Sequence, residues 1–111
     1  MAQAITKICN GPTNGGLITT LPSNNTDLQT SIQKCLDSDI PAVVMNAGSE
    51  IASGLNMMHF VGQNEYAAGR AAGESLVATC PSCQFYCANH APGVNVVSDR
   101  CRGFKDAVEY A

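Results

Sequence analysis

The chain has 111 residues, of which 45% are hydrophobic and 14% are charged, a composition typical of one folded domain and not of a disordered segment. Six Lys and Arg residues against nine Asp and Glu residues give a net charge of -3, which argues against nucleic acid or an anionic membrane as an electrostatic partner. No apolar run approaches the roughly 18 residues of a membrane helix, and the first ten residues lack the apolar core and cleavage site of a secretory signal.

Two helices and one strand are predicted in the first 37 residues. Residues 2–9 have the apolar spacing of the last turns of a helix, and the turn formers at 10–16 end it. Residues 16–21 favour a short buried strand, which the polar residues at 22–25 stop. Residues 26–37 predict a helix with one apolar face, and Thr26 with Gln29 matches a capping box.

The next stretch contains the segment around which the chain is organised. Residues 40–45 are nearly all apolar and predict a strand covered on both faces, whereas residues 50–58 fit either a short helix or an irregular crossover. Residues 59–76 predict a strand, a tight turn and a helix that Asn64 caps. Gly69 and Gly73 each cost that helix about 1 kcal/mol relative to alanine, which indicates close packing or a bend.

The last third is predicted to contain a turn at 80–83, a strand at 84–88, a loop at 89–95 and a helix that begins near Val96 or Ser98. Alternation of helices and strands throughout the chain predicts an α/β fold, with a parallel sheet flanked by helices on both faces. Ligands of such sheets bind at the carboxyl ends of the strands. The loops expected there are rich in uncharged hydrogen-bonding side chains, which would suit an uncharged polyhydroxy ligand.

Three segments, residues 16–50, 59–76 and 89–111, together resemble the type I periplasmic sugar-binding proteins and the ligand domains of lactose-repressor-like regulators. Within them, D-I-P-A-V-V-M-N at 39–46 matches a recurrent pattern of the family. The resemblance covers nearly the whole chain and implies two α/β lobes around a sugar, with residues 1–62 in the first lobe and 63–111 at the start of the second. Full members are much longer, so the resemblance is to a partial or shortened version, either a fragment or a single α/β domain of residues 1–111.

The resemblance implies sugar contacts for two residues above all. Asn46, after its strand, matches a polar residue on sugar hydroxyls, and Arg100 matches an arginine at the start of a helix that holds ring or hydroxyl oxygens. The remaining predicted ligand residues are Thr20, Gln63, Asn64, Asn89 and His90. The residues alone leave other roles open, since Arg100 could pair with Asp99 or Asp106 and Asn46 could bond its own backbone.

Six cysteines favour an oxidising compartment. Crossovers of one hand place the helices at 2–9 and 26–37 on the same face of the sheet, so Cys9 and Cys35 near their ends are predicted to form a disulfide. Cys87 could reach Cys101 on the last helix.

Cys80 and Cys83 are then left either as a local disulfide or as free thiols. Together with Cys87 and His90 they have a spacing that zinc sites use, but gathering the four would disrupt the strand predicted at 84–88. The C-x-x-C pair also follows a helix, whereas redox catalysis needs its first cysteine at a helix N-terminus. Structural disulfides are the preferred interpretation.

Taken together, these features predict a non-enzymatic module without metal or cofactor that binds a sugar or polyol and is secreted or periplasmic, in transport or signalling. No pattern of a nucleophilic hydrolase or a phosphate loop supports catalysis. The alternative is a disulfide-stabilised secreted interaction domain that has lost the sugar site and acts through a protein partner or by self-association. An exposed apolar surface where the missing strands of a full member would pack would favour that alternative, since such edges invite pairing.

Overall fold

A computed structural model describes residues 1–11, 15–22 and 25–109. Part of the predicted turn, at 12–14, and part of the predicted loop, at 23–24, lie outside the described residues. The chain divides into two compact units, Met1–Gly62 and Gln63–Ala111. Each unit has its own secondary structure and is described by itself.

The first unit is a parallel α/β unit. Its helices and strands, in chain order, are α1 (Ala2–Cys9), β1 (Leu17–Thr19), α2 (Thr26–Leu36), β2 (Ala42–Met45), α3 (Ser49–Ala52) and β3 (His59–Val61). The described strands form one sheet of order β1-β2-β3, and both neighbouring pairs are parallel. The prediction of an α/β fold built on a parallel sheet is confirmed. Residues 50–58, which the sequence left open, contain the short α3 followed by turns.

One face of this sheet is buried in the core of the unit. The register aligns Leu17 with Ala42 and Thr19 with Val44, and all four side chains are buried. Side chains alternate along a strand, so the next residues point to the opposite face. The core that covers the buried face is formed by Ile5, Cys9, Leu21, Leu28, Ile32, Cys35, Ile40 and Ala52.

The opposite face of the sheet is exposed at three of its apolar residues. Ile18 is 72% exposed, Val61 57% and Met45 49%. Val43, which aligns with Ile18 across the β1–β2 pair, is half-buried. Strand β2 is therefore covered more completely on one face than on the other, whereas its apolar sequence predicted equal cover.

Helices α1 and α2 are tied together inside the first unit. Cys9 and Cys35 form a disulfide with Cα atoms 4.9 Å apart, and both residues are buried. Helix α2 is capped by Asn25, whose side-chain oxygen accepts a hydrogen bond from the Leu28 backbone N–H at 2.9 Å. The prediction that Thr26 opens a capping box was wrong by one residue, because an asparagine directly before it makes the same kind of bond.

The second unit is a pair of helices, α4 (Glu65–Thr79) and α5 (Asn95–Glu109), that approach very closely. A methyl group on Gly69 would collide with the Arg100 backbone, and one on Gly103 would collide with the Tyr66 backbone. The Tyr66 hydroxyl donates to Asp106 Oδ2 at 2.8 Å across the pair. The interior glycines of α4 thus serve close packing, which is one of the two explanations that the sequence suggested.

The segment between these helices contains no strand among the described residues, so the strand predicted at 84–88 was wrong. A strand requires a neighbouring strand to satisfy its backbone groups, and within the described part of the second unit there is none. Disulfides hold the segment instead. Cys80 bonds to Cys83, and Cys87 bonds to Cys101 on α5.

Candidate functional site

Two of the predicted ligand residues lie together in the first unit, at the carboxyl ends of neighbouring strands. Thr20 directly follows β1 and Asn46 directly follows β2, and a backbone bond from Leu21 N–H to Ala47 O, 2.9 Å long, joins the two loops. Thr20 and Asn46 line one open groove of about 680 Å³. The rest of that groove is mostly apolar and includes Met1, Ile5, Ile8, Leu17, Ile18 and Met45.

Asn46 has a backbone conformation that suits its residue type. Its φ of 67° lies in the left-handed region, which asparagine tolerates better than most residues. Its backbone N–H donates to Val61 O at 2.9 Å, so the main chain is fixed to β3 while the residue is exposed. The geometry presents an amide side chain at the edge of the sheet where ligands of parallel sheets bind.

A second group of predicted residues meets at the start of α4, in the second unit. Arg100 Nε donates to Glu65 Oε2 in an ion pair, and Gln63 Nε2 donates to the same oxygen at 3.1 Å. The Glu65 side chain is only 9% exposed, whereas the Arg100 side chain is 42% exposed. The structure therefore brings Gln63 and Arg100 together around a buried carboxylate, and the Arg100 side chain is half-exposed.

Glu65 carries its charge in this arrangement. The hydrogen bond from Arg100 is the largest influence and lowers the pKa of the carboxyl, although burial acts in the opposite direction. The carboxylate is therefore ionised at neutral pH. Its other oxygen, Oε1, is buried and receives no hydrogen bond from any residue that the structure describes. A buried acceptor without a donor costs free energy, so its presence needs an explanation.

Neither of the acids that the sequence offered to Arg100 is its partner. Asp99 pairs with Arg102 at 3.1 Å, and Asp106 accepts from Tyr66. Glu65, the first residue of α4, was not among the predicted ligand residues. The pair spans 35 positions and two helices, so no local spacing indicates it.

The remaining predicted residues have local contacts. The Asn64 side-chain oxygen accepts from Ala67 N–H at 2.9 Å and so caps α4. Asn89 accepts from Ala91 N–H at 3.0 Å and donates to Ser98 Oγ at 3.4 Å, which ties its loop to the first turn of α5. His90 lies exposed in the same loop.

The cysteines whose spacing resembles that of a zinc site form disulfides instead. Cys80, Cys83 and Cys87 are all in disulfides, so their sulfurs are not thiolate ligands in this structure. The described residues include no group of three metal-binding side chains. Among the same residues no helix is long and apolar enough to cross a membrane.

Comparison with known proteins shows the family of this chain. The sequence matches the periplasmic binding protein domain over residues 3–110. The chain belongs to that family. Among solved structures, this family member is similar to a carbohydrate transporter from Acidothermus cellulolyticus 11B that was crystallised with myo-inositol, with a TM-score of 0.77 and 26% sequence identity. The match covers 97% of this chain and 37% of that protein, so the chain spans well under half the length of its structural relative. No curated protein sequence matches this family member.

Proposed function

We propose that the chain is a non-enzymatic binding module for a sugar or a similar uncharged polyol. The observation that carries the proposal is the cluster of Gln63, Glu65 and Arg100, in which a buried carboxylate holds a half-exposed arginine side chain. A guanidinium is a donor only, and sugar hydroxyls are good acceptors for it. Family membership supports the proposal, as does the similar structure that holds myo-inositol.

The proposal extends to the place of this chain in its family and in the cell. We assign Met1–Gly62 to the first lobe of a sugar-binding protein and Gln63–Ala111 to the start of the second, since the two compact units divide there. Three disulfides suit the periplasm or another oxidising compartment. The oxidation state of the cysteines in protein isolated from its source tests the compartment, because thiols that react before reduction would contradict it.

Replacement of Arg100 tests the binding function. The purified protein is screened by thermal shift against monosaccharides, polyols and myo-inositol, and a selective ligand is expected to raise the midpoint of unfolding. Arg100→Ala should weaken its binding by about 10- to 100-fold, because hydrogen bonds to charged groups contribute about 1.5 to 3 kcal/mol.

Two further variants separate binding from folding. Arg100→Lys keeps a cation beside Glu65 and so preserves the fold, but it loses the planar donor fork and should still weaken binding about tenfold. Lys105→Ala removes the same charge from the same helix at an exposed position paired with Glu109, and should leave affinity unchanged. A wild-type protein that responds to no member of the panel would refute the sugar-binding function.

A second candidate function rests on the exposed face of the first unit's sheet. Ile18, Met45 and Val61 share this face, and the flanking Met58 is 69% exposed. Among the strand residues on this face, His59 is the one with an ionisable side chain. An apolar face without fixed charge can pack against a second copy of itself without burying a charge, so we propose a second copy of the chain as its occupant, related by a twofold axis.

Self-association is expected to depend on protein concentration and on this face. Sedimentation velocity between about 5 and 200 µM should show a shift from monomer to dimer, and Val61→Lys should abolish it because a lysine would be buried in the contact. Leu76→Lys adds the same charge at an exposed apolar position of α4 and serves as the matched control. A monomer throughout the concentration range would exclude this function.

A further inference from the structure

We propose that Glu65 determines the charge selectivity of the Arg100 site, so that the site accepts neutral polyols and rejects sugar acids and sugar phosphates. This inference rests on the proposed sugar-binding function and names the class of sugar that the site takes. Three observations on the described residues carry it: the ion pair, the burial of the carboxylate, and its unsatisfied oxygen.

The first step concerns the charge that a ligand meets. A lone half-exposed arginine attracts anions and binds carboxylates or phosphates in two-pronged fashion. Here Glu65 occupies the Nε edge of the guanidinium and brings the formal charge of the pair to zero. Only the rest of the guanidinium is then open to a ligand, as a donor with its charge compensated.

The second step concerns how firmly that compensation is built in. The Glu65 side chain is 9% exposed, and Gln63 Nε2 holds the paired oxygen at 3.1 Å. Solvent therefore screens this carboxylate less than it would screen an exposed one, so an anionic ligand beside Arg100 would be repelled by its charge. No other charged side chain of the described residues is in contact with this carboxylate.

The third step concerns the oxygen of Glu65 that accepts no hydrogen bond. Glu65 Oε1 is buried and has no donor among the described residues. The ion pair with Arg100 stabilises the charge through Oε2 but leaves Oε1 without a donor, so the charge is only partly compensated at this position. A function would account for this partly compensated charge, because a negative charge at Glu65 excludes anionic competitors from Arg100.

Matched ligand pairs test the inference on the purified 111-residue protein. The probes are D-glucose against D-glucuronate, D-galactose against D-galacturonate, and myo-inositol against myo-inositol 1-phosphate, measured by calorimetric titration. Wild-type protein should prefer the neutral member of the pair that it binds by at least about tenfold. Glu65→Gln should raise affinity for the anionic member by about tenfold or more without raising affinity for the neutral one.

Two control variants separate charge from shape. Glu65→Asp keeps the charge on a shorter side chain and should keep the wild-type preference even if both affinities fall. Glu74→Gln removes the same charge from α4 at a position 57% exposed and paired with Arg70, and should change nothing. A misfolded variant would lose affinity for both ligands together. A higher affinity for the anionic ligand without a higher affinity for the neutral one therefore cannot result from misfolding.

The outcomes also separate this inference from the function beneath it. If wild-type protein binds a neutral sugar and Glu65→Gln keeps the same neutral-to-anionic ratio, selectivity by Glu65 is wrong and the sugar-binding function stands. If wild-type protein prefers the anionic members, the inference is likewise wrong. If no probe binds wild-type protein, the proposed function fails and this inference fails with it.

Discussion

Replacing both Cys9 and Cys35 with alanine is expected to lower the free energy of unfolding of the Met1–Gly62 unit by about 3.5 kcal/mol. The disulfide joins residues 26 positions apart, and the chain-entropy relation assigns about that much to a loop of this length. Domains of this size are stable by only about 5 to 15 kcal/mol in total. Both cysteines are also buried between α1 and α2, so the lost sulfur contacts add to the effect.

The same relation supplies graded controls within the chain. The Cys87–Cys101 bond has a separation of 14 and should contribute about 3 kcal/mol, whereas the Cys80–Cys83 bond has a separation of 3 and should contribute about 1.6 kcal/mol at most. Urea unfolding of the three double-alanine variants measures the order. Equal losses would contradict it, and peptide mapping of unreduced protein from its source that shows free Cys9 and Cys35 would contradict the pairing itself.

Local sequence signals predicted most of the first unit because they act over a few residues. The apolar run at 40–45 contains β2, and turn formers bound β1 on both sides. Asn64 was recognised as a cap because a cap bonds to a backbone group only three residues away. The parallel order of the sheet followed from the alternation of helices and strands along the chain.

Features that depend on distant partners could not be read in this way. The strand expected at 84–88 has suitable residues, but the described part of its unit contains no second strand to pair with it. The exposed face of the sheet was also hidden, since an apolar strand sequence does not reveal whether both of its faces are covered. The Glu65–Arg100 pair joins two helices whose approach is set by packing.

That packing leads to the second large effect. Gly69→Ala is expected to destabilise the Gln63–Ala111 unit by about 2 kcal/mol, although alanine is the better helix former by about 1 kcal/mol. The added methyl group would collide with the backbone carbonyl of Arg100, and a backbone group cannot rotate away as a flexible side chain can. Overpacking of a tight contact costs about 1 to 3 kcal/mol, and the cost here lies at the upper end because both helices must move apart. The gain in helix propensity offsets about 1 kcal/mol of that cost, which leaves a net loss of about 2 kcal/mol.

The consequence should extend to binding, because the residue that is pushed is Arg100 itself. A shift of its backbone away from α4 lengthens the contact with Glu65, so Gly69→Ala should weaken the proposed sugar binding as well as folding. Gly54→Ala is the matched control, since its nearest atom would be Ile51 O at an ordinary 3.5 Å. Thermal unfolding with and without the selected sugar measures both effects. A rise in the unfolding midpoint of Gly69→Ala would mean that helix propensity outweighs the contact, and that α4 and α5 are not held as closely as the structure places them.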